Sequence, residues 1–149
     1  MWTLDELRET VCRRLESLPE LSGVPIIPED RQNIATEITK ALSQLKGIVI
    51  VVNTGDGRCD APGNPNPTAE VSLLIEISEI PAINRTRNGS QIPAVDAMGI
   101  VIRALHQHVE KEKGSLTFRG WGFDNAKLLT YTPEFLTRVV FRGLERRSF

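Results

Sequence analysis

The residues whose types suit catalysis or metal binding fall in one polar stretch and on one predicted helix. The stretch holds two carboxylates and a thiol, at Asp56, Cys59 and Asp60. A calcium loop needs oxygen ligands at alternating positions and a distal bidentate Glu, whereas zinc prefers a second Cys or His pair close by. His106 and His108 are two residues apart and would point to different sides of a helix, unlike the i, i+4 histidines of zinc proteases. The spacing therefore favours a solvated loop over a metal site.

Signals for a nucleophile or for a nucleotide site are also weak. Cys12 borders the apolar stripe of the first predicted helix, where a small buried hydrophobe is the simplest interpretation. The sequence has no G-x-S-x-G, no G-x-x-x-x-G-K-[ST] and no G-x-G-x-x-G. One enzymatic alternative stays open, a metal-dependent hydrolase built on Asp56, Cys59, Asp60 and His106. The main expectation is a protein that is not an enzyme, with no catalytic residue, no cofactor and no metal.

A second alternative is a small nucleic-acid-binding α+β module. Arg119, Trp121 and Phe123 alternate a cation with aromatic rings, as single-strand binders do, and Arg138 and Arg142 add positive charge to a C-terminal strand. The chain as a whole, however, balances 18 Lys and Arg against 19 Asp and Glu, for a net charge of −1. That balance argues against binding by broad phosphate neutralisation.

Length and composition predict a single domain over residues 1–149. The chain is 40% hydrophobic and 25% charged, which suits a packed core. The N-terminus lacks the pattern of a signal peptide, and the longest apolar run, at residues 48–52, is far shorter than a membrane span. Two cysteines supply no disulfide framework, so we expect an intracellular protein without membrane contact.

Apolar spacing predicts three helices. The first, over residues 1–18, opens with a Thr3–Glu6 capping box and ends before Pro19. The second starts near Pro28 and ends at Gly47, with a buried stripe of Ile34, Ile38, Ala41, Leu42 and Leu45. The third opens at Pro93, with a stripe of Val95, Met98, Ile102, Leu105 and Val109.

The strand pattern is that of a mostly antiparallel sheet. The continuous run at 48–52 predicts a strand covered on both faces, and the alternation over 70–79 predicts a half-buried antiparallel strand. Further strands are predicted at 116–121 and 135–142, and residues 24–27 are expected to be extended or at a sheet edge. Long loops are predicted at 53–68 and 81–91. The resulting order, α-α-β-β-α-β-β, predicts an α+β domain with its helices packed on one face of the sheet.

Two local patterns resemble phage tail-terminator, or tail-completion, proteins. One is the segment EIPAINR at residues 79–85, and the other is a helix that opens at Pro93 and closes with Ala104-Leu105-His106. In that family a strand ends in an E-x-P-x-x-N-R-like segment, a polar loop follows, and a helix closes with A-L-H before two C-terminal strands. The resemblance covers about residues 34–142, and the additional helix at 1–18 departs from the family pattern.

The resemblance implies a non-catalytic structural protein of a phage or prophage. Such proteins form a ring, usually a hexamer, that caps the tail tube and joins it to the head connector. The expected partners are copies of the same chain, tail-tube proteins and head-tail connector proteins. The expected locations are the host cytoplasm during assembly and then the virion tail.

A ring closes through head-to-tail contacts that use two different surfaces of each subunit. The edge strands and the two long loops are the candidate surfaces. The six residues expected to make contacts are Asp56, Arg58, Asp60, Asn84, Arg85 and Arg87. Asn84 and Arg85 have a second interpretation, in which they only satisfy backbone groups at a turn. An interaction is favoured for Arg85 because no residue near it in the sequence is an evident partner.

Overall fold

The computed structural model describes residues 4–29, 33–59, 68–108, 118–130 and 135–146. The strands are β1 (Ile26–Pro28), β2 (Ile48–Cys59), β3 (Thr68–Glu79), β4 (Phe118–Thr130) and β5 (Phe135–Arg146). The helices are α1 (Leu4–Glu16), α2 (Ile34–Lys40), α3 (Pro81–Asn84) and α4 (Ala94–Leu105). A 3₁₀ turn follows α1 at Pro19–Leu21, and a π-helical turn extends α2 over Ala41–Leu45.

The five strands form one sheet in the order β1-β2-β3-β5-β4. β2 pairs with β3, β3 with β5 and β5 with β4, all antiparallel, while β1 runs parallel to β2. The predicted α+β class with a mostly antiparallel sheet is confirmed. Within the described residues, no helix is long and apolar enough to cross a membrane.

Residues 24–27 were expected at a sheet edge, and β1 is such an edge strand. It pairs with β2 from Ile26 opposite Ile50 to Pro28 opposite Val52. Pro28 therefore ends β1 and does not open the second helix, which begins at Ile34. An edge position suits proline because the missing N–H removes no hydrogen bond from an inner ladder.

One face of the sheet packs against α1 and α4. Alternate residues of β2 and β3 point to this side, which confirms the predicted alternation of β3. The buried set includes Leu7, Val11 and Leu15 of α1, Ile48, Ile50 and Val52 of β2, Val71, Leu73, Ile75 and Ile77 of β3, and Ala97, Val101 and Leu105 of α4. This face holds the larger part of the described core.

The opposite face of β2 packs against α2. Val49 and Val51 are buried there with Ile27, Ala41 and Leu42. The run at 48–52 is thus covered on both faces, as its continuous apolar character predicted. The expectation that all helices share one face holds for α1 and α4 and not for α2, because a strand without polar positions needs cover on its second side as well.

The buried stripe of α4 differs from the predicted one. The buried positions are Ala94, Ala97, Val101, Ala104 and Leu105. Val95, which was assigned to the stripe, is 48% exposed. Leu105 is buried and Met98 and Ile102 pack against the core as predicted, whereas the alanines, which a pattern built on large apolar residues leaves out, face the sheet. Val109 lies outside the described residues.

Both long hairpin strands extend through segments that were predicted as loops. β2 continues to Cys59 and β3 begins at Thr68, so only residues 60–67 of the 53–68 loop lie outside these strands and outside the described residues. A register shift between Thr54 and Gly57 absorbs an extra residue of β2. β4 has two similar register shifts and continues to Thr130, well past its predicted end at residue 121. Gly, Asn and Asp are typical of loops and also of bulged strands, so composition did not separate the two.

Candidate functional site

The second candidate loop is organised around a buried carboxylate, Glu79, at the end of β3. Its side chain is 1% exposed because it occupies the same alternate positions of β3 as Ile75 and Ile77. Oε2 accepts a hydrogen bond from Asn84 Nδ2 at 2.6 Å. Oε1 accepts one from the backbone N–H of Ala94 at 3.1 Å, at the first turn of α4. Glu79 thereby links the end of β3 to the start of α4.

Asn84 lies between these two elements and is fully buried. Its Nδ2 also donates to the carbonyl of Ile92 at 2.7 Å, and its Oδ1 accepts a hydrogen bond from the Ser90 hydroxyl. Its own carbonyl accepts the N–H of Gln91 at 2.8 Å, which Gln91 reaches with a positive φ of 63°. Every polar group of the Asn84 side chain is therefore engaged inside the chain.

Two glycines leave room for this arrangement. A Cβ on Gly89 would overlap the carbonyl of Asn84, and one on Gly47 would lie 2.5 Å from the Asn84 backbone nitrogen. Gly47 also has a φ of +73°, which L side chains rarely adopt. It ends the helical segment that contains α2, as predicted from its position in the sequence. The segment 81–91 is thus packed closely against the rest of the domain.

Arg85 completes the cluster from the solvent side. Its Nε and Nη2 donate to the two carboxylate oxygens of Glu79 at 3.2 and 3.3 Å, and half of the Arg85 side chain stays exposed. The premise that no nearby residue pairs with Arg85 is therefore wrong, since Glu79 lies six residues before it. Arg87, two residues further on, is exposed.

The electrostatics of the cluster favour an ionised Glu79. Burial raises the pKa of this carboxyl, but hydrogen bonds from Arg85, Asn84 and the Ala94 amide outweigh burial and bring the pKa below its ordinary value. The same contact raises the pKa of Arg85. The carboxylate also sits at the N-terminus of α4, where the helix dipole favours negative charge. The cluster holds Arg85 at the surface in a fixed position.

The other loop candidates occupy a strand. Asp56 and Arg58 lie in the half of β2 beyond β1, paired with β3 near Val71 and Glu70. Asp60 lies outside the described residues. The structure therefore separates the five described contact residues into a β2 segment and the α3 turn, with Asn84 in the interior.

Of the residues considered for catalysis, Cys12 and His106 have described side chains, whereas Asp60 lies outside the described residues. Within the described residues, no group of three or more His, Cys, Asp or Glu side chains is placed to hold a metal ion. Cys12 is buried, in line with its interpretation as a small hydrophobe. His106 is engaged structurally, because its Nδ1 accepts the backbone N–H of Phe123 at 3.0 Å. The next residue, Gln107, donates its backbone N–H to the carbonyl of Trp121 at 2.8 Å, so the chain after α4 is fastened to β4.

Sequence reasoning missed two of these roles. Glu79 was seen only as part of a motif, although its even spacing from Ile75 and Ile77 was a signal that it faces the core. No comparable signal existed for His106, because its partner is a backbone amide at a register shift in β4.

Comparison with known proteins gives a fold relationship. The sequence matches no protein-family model and no curated protein. The structure is similar to a chain from the virion of a native gene transfer agent particle, with a TM-score of 0.65 and 16% sequence identity. The match covers 99% of this chain and 100% of that chain. At this level of identity the likeness establishes a shared fold.

Proposed function

We propose that this chain is a structural, non-catalytic component of a phage-like particle. Its role is to form a ring that caps a tail tube and meets the head connector. The observation that carries the proposal is the fold shared with a gene transfer agent virion chain over nearly the full length of both chains. The resemblance of residues 79–85 to tail-terminator proteins points in the same direction.

The geometry of the α3 turn supports a structural role for this segment. The family-like residues Glu79, Asn84 and Arg85 form one hydrogen-bonded cluster that fixes the turn between β3 and α4. Such a cluster performs no chemistry, but it presents Arg85 and Arg87 on a rigid base. A rigid base reduces the ordering cost that a flexible loop would add on binding a neighbour.

The contact residues follow from this arrangement. Arg85 and Arg87 are the candidates at the α3 turn for binding a neighbouring copy or the tube. Asp56 and Arg58 are the candidates on β2, with Asp60 in the segment that follows them. Asn84 acts indirectly, because its buried side chain holds the turn that carries the two arginines.

Native mass spectrometry over a concentration series is the first test. A closed ring, a hexamer in particular, without any bound small molecule supports the proposal. A tight dimer that carries a metal ion or a nucleotide contradicts it and favours the enzymatic alternative. If the chain is monomeric, electron microscopy of the chain mixed with purified phage tails tests whether the tube end acts as the template, and unoccupied tube ends then contradict the proposal.

A further inference from the structure

The outward side of α4 combines apolar and charged residues around a glycine. The buried residues of α4 face the sheet, and the opposite side carries Val95, Asp96, Gly99 and Arg103, all exposed. Val95 is one of the three large hydrophobic residues that are exposed in the described chain. A shallow depression surrounds Gly99, and the described residues that line it all belong to α4. We call Val95, Asp96, Gly99, Ile102 and Arg103 the α4 outer face.

The packing of the domain itself does not require a glycine at position 99. A Cβ on Gly99 would meet nothing within 4 Å, and the residue lies in the interior of α4. Glycine destabilises a helix interior relative to alanine. Because it has no side chain, however, it lets the backbone of another element approach closely. Gly99 therefore suits a close contact between α4 and a second helix.

The other residues of the α4 outer face follow a seven-residue spacing. Seven residues are close to two turns of an α-helix, so residues at this spacing lie on one line along the helix. Asp96 and Arg103 form one such pair, and Val95 and Ile102 form another. The two lines pass on either side of Gly99, with Ile102 also packing against the core. The α4 outer face thus has a charged flank and an apolar flank.

A second copy of α4 fits this face in the antiparallel orientation. A two-fold axis at the level of Gly99 brings each flank against the same flank of the other copy. Asp96 then comes within one residue, or about 1.5 Å, of the level of Arg103 in the other copy. Two symmetric ion pairs form on the charged flank, and Val95 meets Ile102 on the apolar flank. A parallel orientation would place each charge beside its own counterpart, which like-charge repulsion disfavours.

The contact has an apolar driving force and a link to the α3 turn. Mutual burial of Val95 and Ile102 removes apolar surface from water, which favours association. On the charged flank, Asp96 acts on Arg85, whose pKa is raised by its hydrogen bond with Glu79 and in smaller part by the charge of Asp96. Asp96 of each copy would thus lie between Arg85 of its own copy and Arg103 of the other.

We propose that two copies of this chain pair through the α4 outer face about a two-fold axis at Gly99, with Asp96 of each copy beside Arg103 of the other. A two-fold contact uses the same surface on both copies. It is therefore distinct from the head-to-tail contacts of the proposed ring, and it goes beyond the proposed function. Since it involves only copies of this chain, we expect it for the purified protein without tails.

Mixing two charge variants tests the pairing. Asp96→Lys and Arg103→Glu each replace the two attractive pairs of the dimer with two like-charge pairs, so we expect each to raise the dissociation constant about ten-fold. In an equal mixture, a copy with two basic residues meets a copy with two acidic residues, and both pairs are attractive again. Native mass spectrometry should then show a mixed dimer, with a dissociation constant within about two-fold of that of the wild type. Lys40→Glu is the control, because Lys40 is exposed on α2, on the opposite face of the sheet, and it should change nothing.

Gly99→Gln tests the close approach of the helices without changing a charge. Gln is a better helix former than Gly, and its Cβ has room in the single copy, so this variant should fold and its Tm should not fall. In the dimer the added side chains would separate the two helices, and we expect the dissociation constant to rise about ten-fold. Circular dichroism checks that each variant folds, and sedimentation velocity over a concentration series measures association.

The possible failures separate this contact from the proposed ring. A wild-type chain that stays monomeric at every concentration overturns the two-fold contact, and the tail-binding experiment then decides the proposed function by itself. A wild-type oligomer that is unaffected by Gly99→Gln and Arg103→Glu also overturns it and leaves a head-to-tail ring intact. Folded charge variants that form no mixed dimer overturn the pairing of Asp96 with Arg103. A monomeric chain whose binding to tails is lost on Gly99→Gln overturns it too, and assigns the α4 outer face to a tail protein.

Discussion

The substitution Glu79→Gln tests whether the buried carboxylate holds β3 and α4 together. Gln keeps the size of the side chain but replaces one acceptor oxygen with an NH₂ donor. The two oxygens of Glu79 face the Asn84 amide and the Ala94 backbone N–H, both buried, so at least one of these donors would face another donor. A buried polar group left unsatisfied costs about 1–3 kcal/mol. Loss of a carboxylate at a helix N-terminus adds about 0.3–1 kcal/mol.

The expected loss of stability for Glu79→Gln is therefore about 3 kcal/mol. For a chain of this length that corresponds to a fall in Tm of about 6–12 °C. Thermal and urea denaturation followed by circular dichroism at pH 7 measure it. Glu29→Gln is the matched control, because Glu29 is exposed just after β1 and should change stability by less than about 0.5 kcal/mol. A Glu79→Gln protein as stable as the control would refute the view that this carboxylate fastens the turn.

The remaining predictions concern the same turn and its surroundings. Because the pKa of Glu79 is lower in the folded chain, the unfolded chain binds more protons at pH values between the two pKa values. The stabilisation by the carboxylate is therefore complete above the unfolded pKa of about 4.3 and is lost as the pH falls through the folded pKa. Urea titrations should show that the difference in unfolding free energy between wild type and Glu79→Gln shrinks in acid and stays constant from about pH 6 to 8. Gly47→Ala should lower the Tm, because Gly47 has a positive φ and the added Cβ would collide with the backbone of Asn84. Gly99→Ala should instead stabilise the protein by about 0.5–1 kcal/mol, because Gly99 lies in the middle of α4 and its added Cβ would meet nothing within 4 Å. Equal changes in Tm for the two variants would contradict this explanation of the two glycines. Arg87→Gln should weaken assembly and leave the Tm unchanged. Arg85→Gln should weaken assembly and also lower the Tm, because Arg85 pairs with the buried Glu79. Sedimentation velocity measures the assembly and thermal denaturation measures the Tm.

The sequence predicted those parts of the fold that follow from local periodicity. The alternation of β3, the continuous run of β2 and the stripe of α1 depend on side-chain patterns that burial imposes directly. The ends of β2 and β4 could not be read in this way. Gly55 and Gly57 in β2 and the turn-forming residues at 120–125 of β4 predict loops when taken alone. They lie in strands because the long partners β3 and β5 supply hydrogen bonds over the full length of the hairpins.

The candidate site shows a different limit. Asn84 and Arg85 were both predicted as contact residues, but a pattern of residue types does not say whether a polar side chain points inward or outward. The alternation of side chains along β3 decides the orientation of Glu79, which follows Ile75 and Ile77 on the buried face. A buried carboxylate requires hydrogen-bond donors close by. Asn84 is drawn inward to supply one, and Arg85 supplies two more from the solvent side. The exposed half of Arg85 is what remains for a partner, so any assembly contact at this turn depends on a buried residue that the partner never touches.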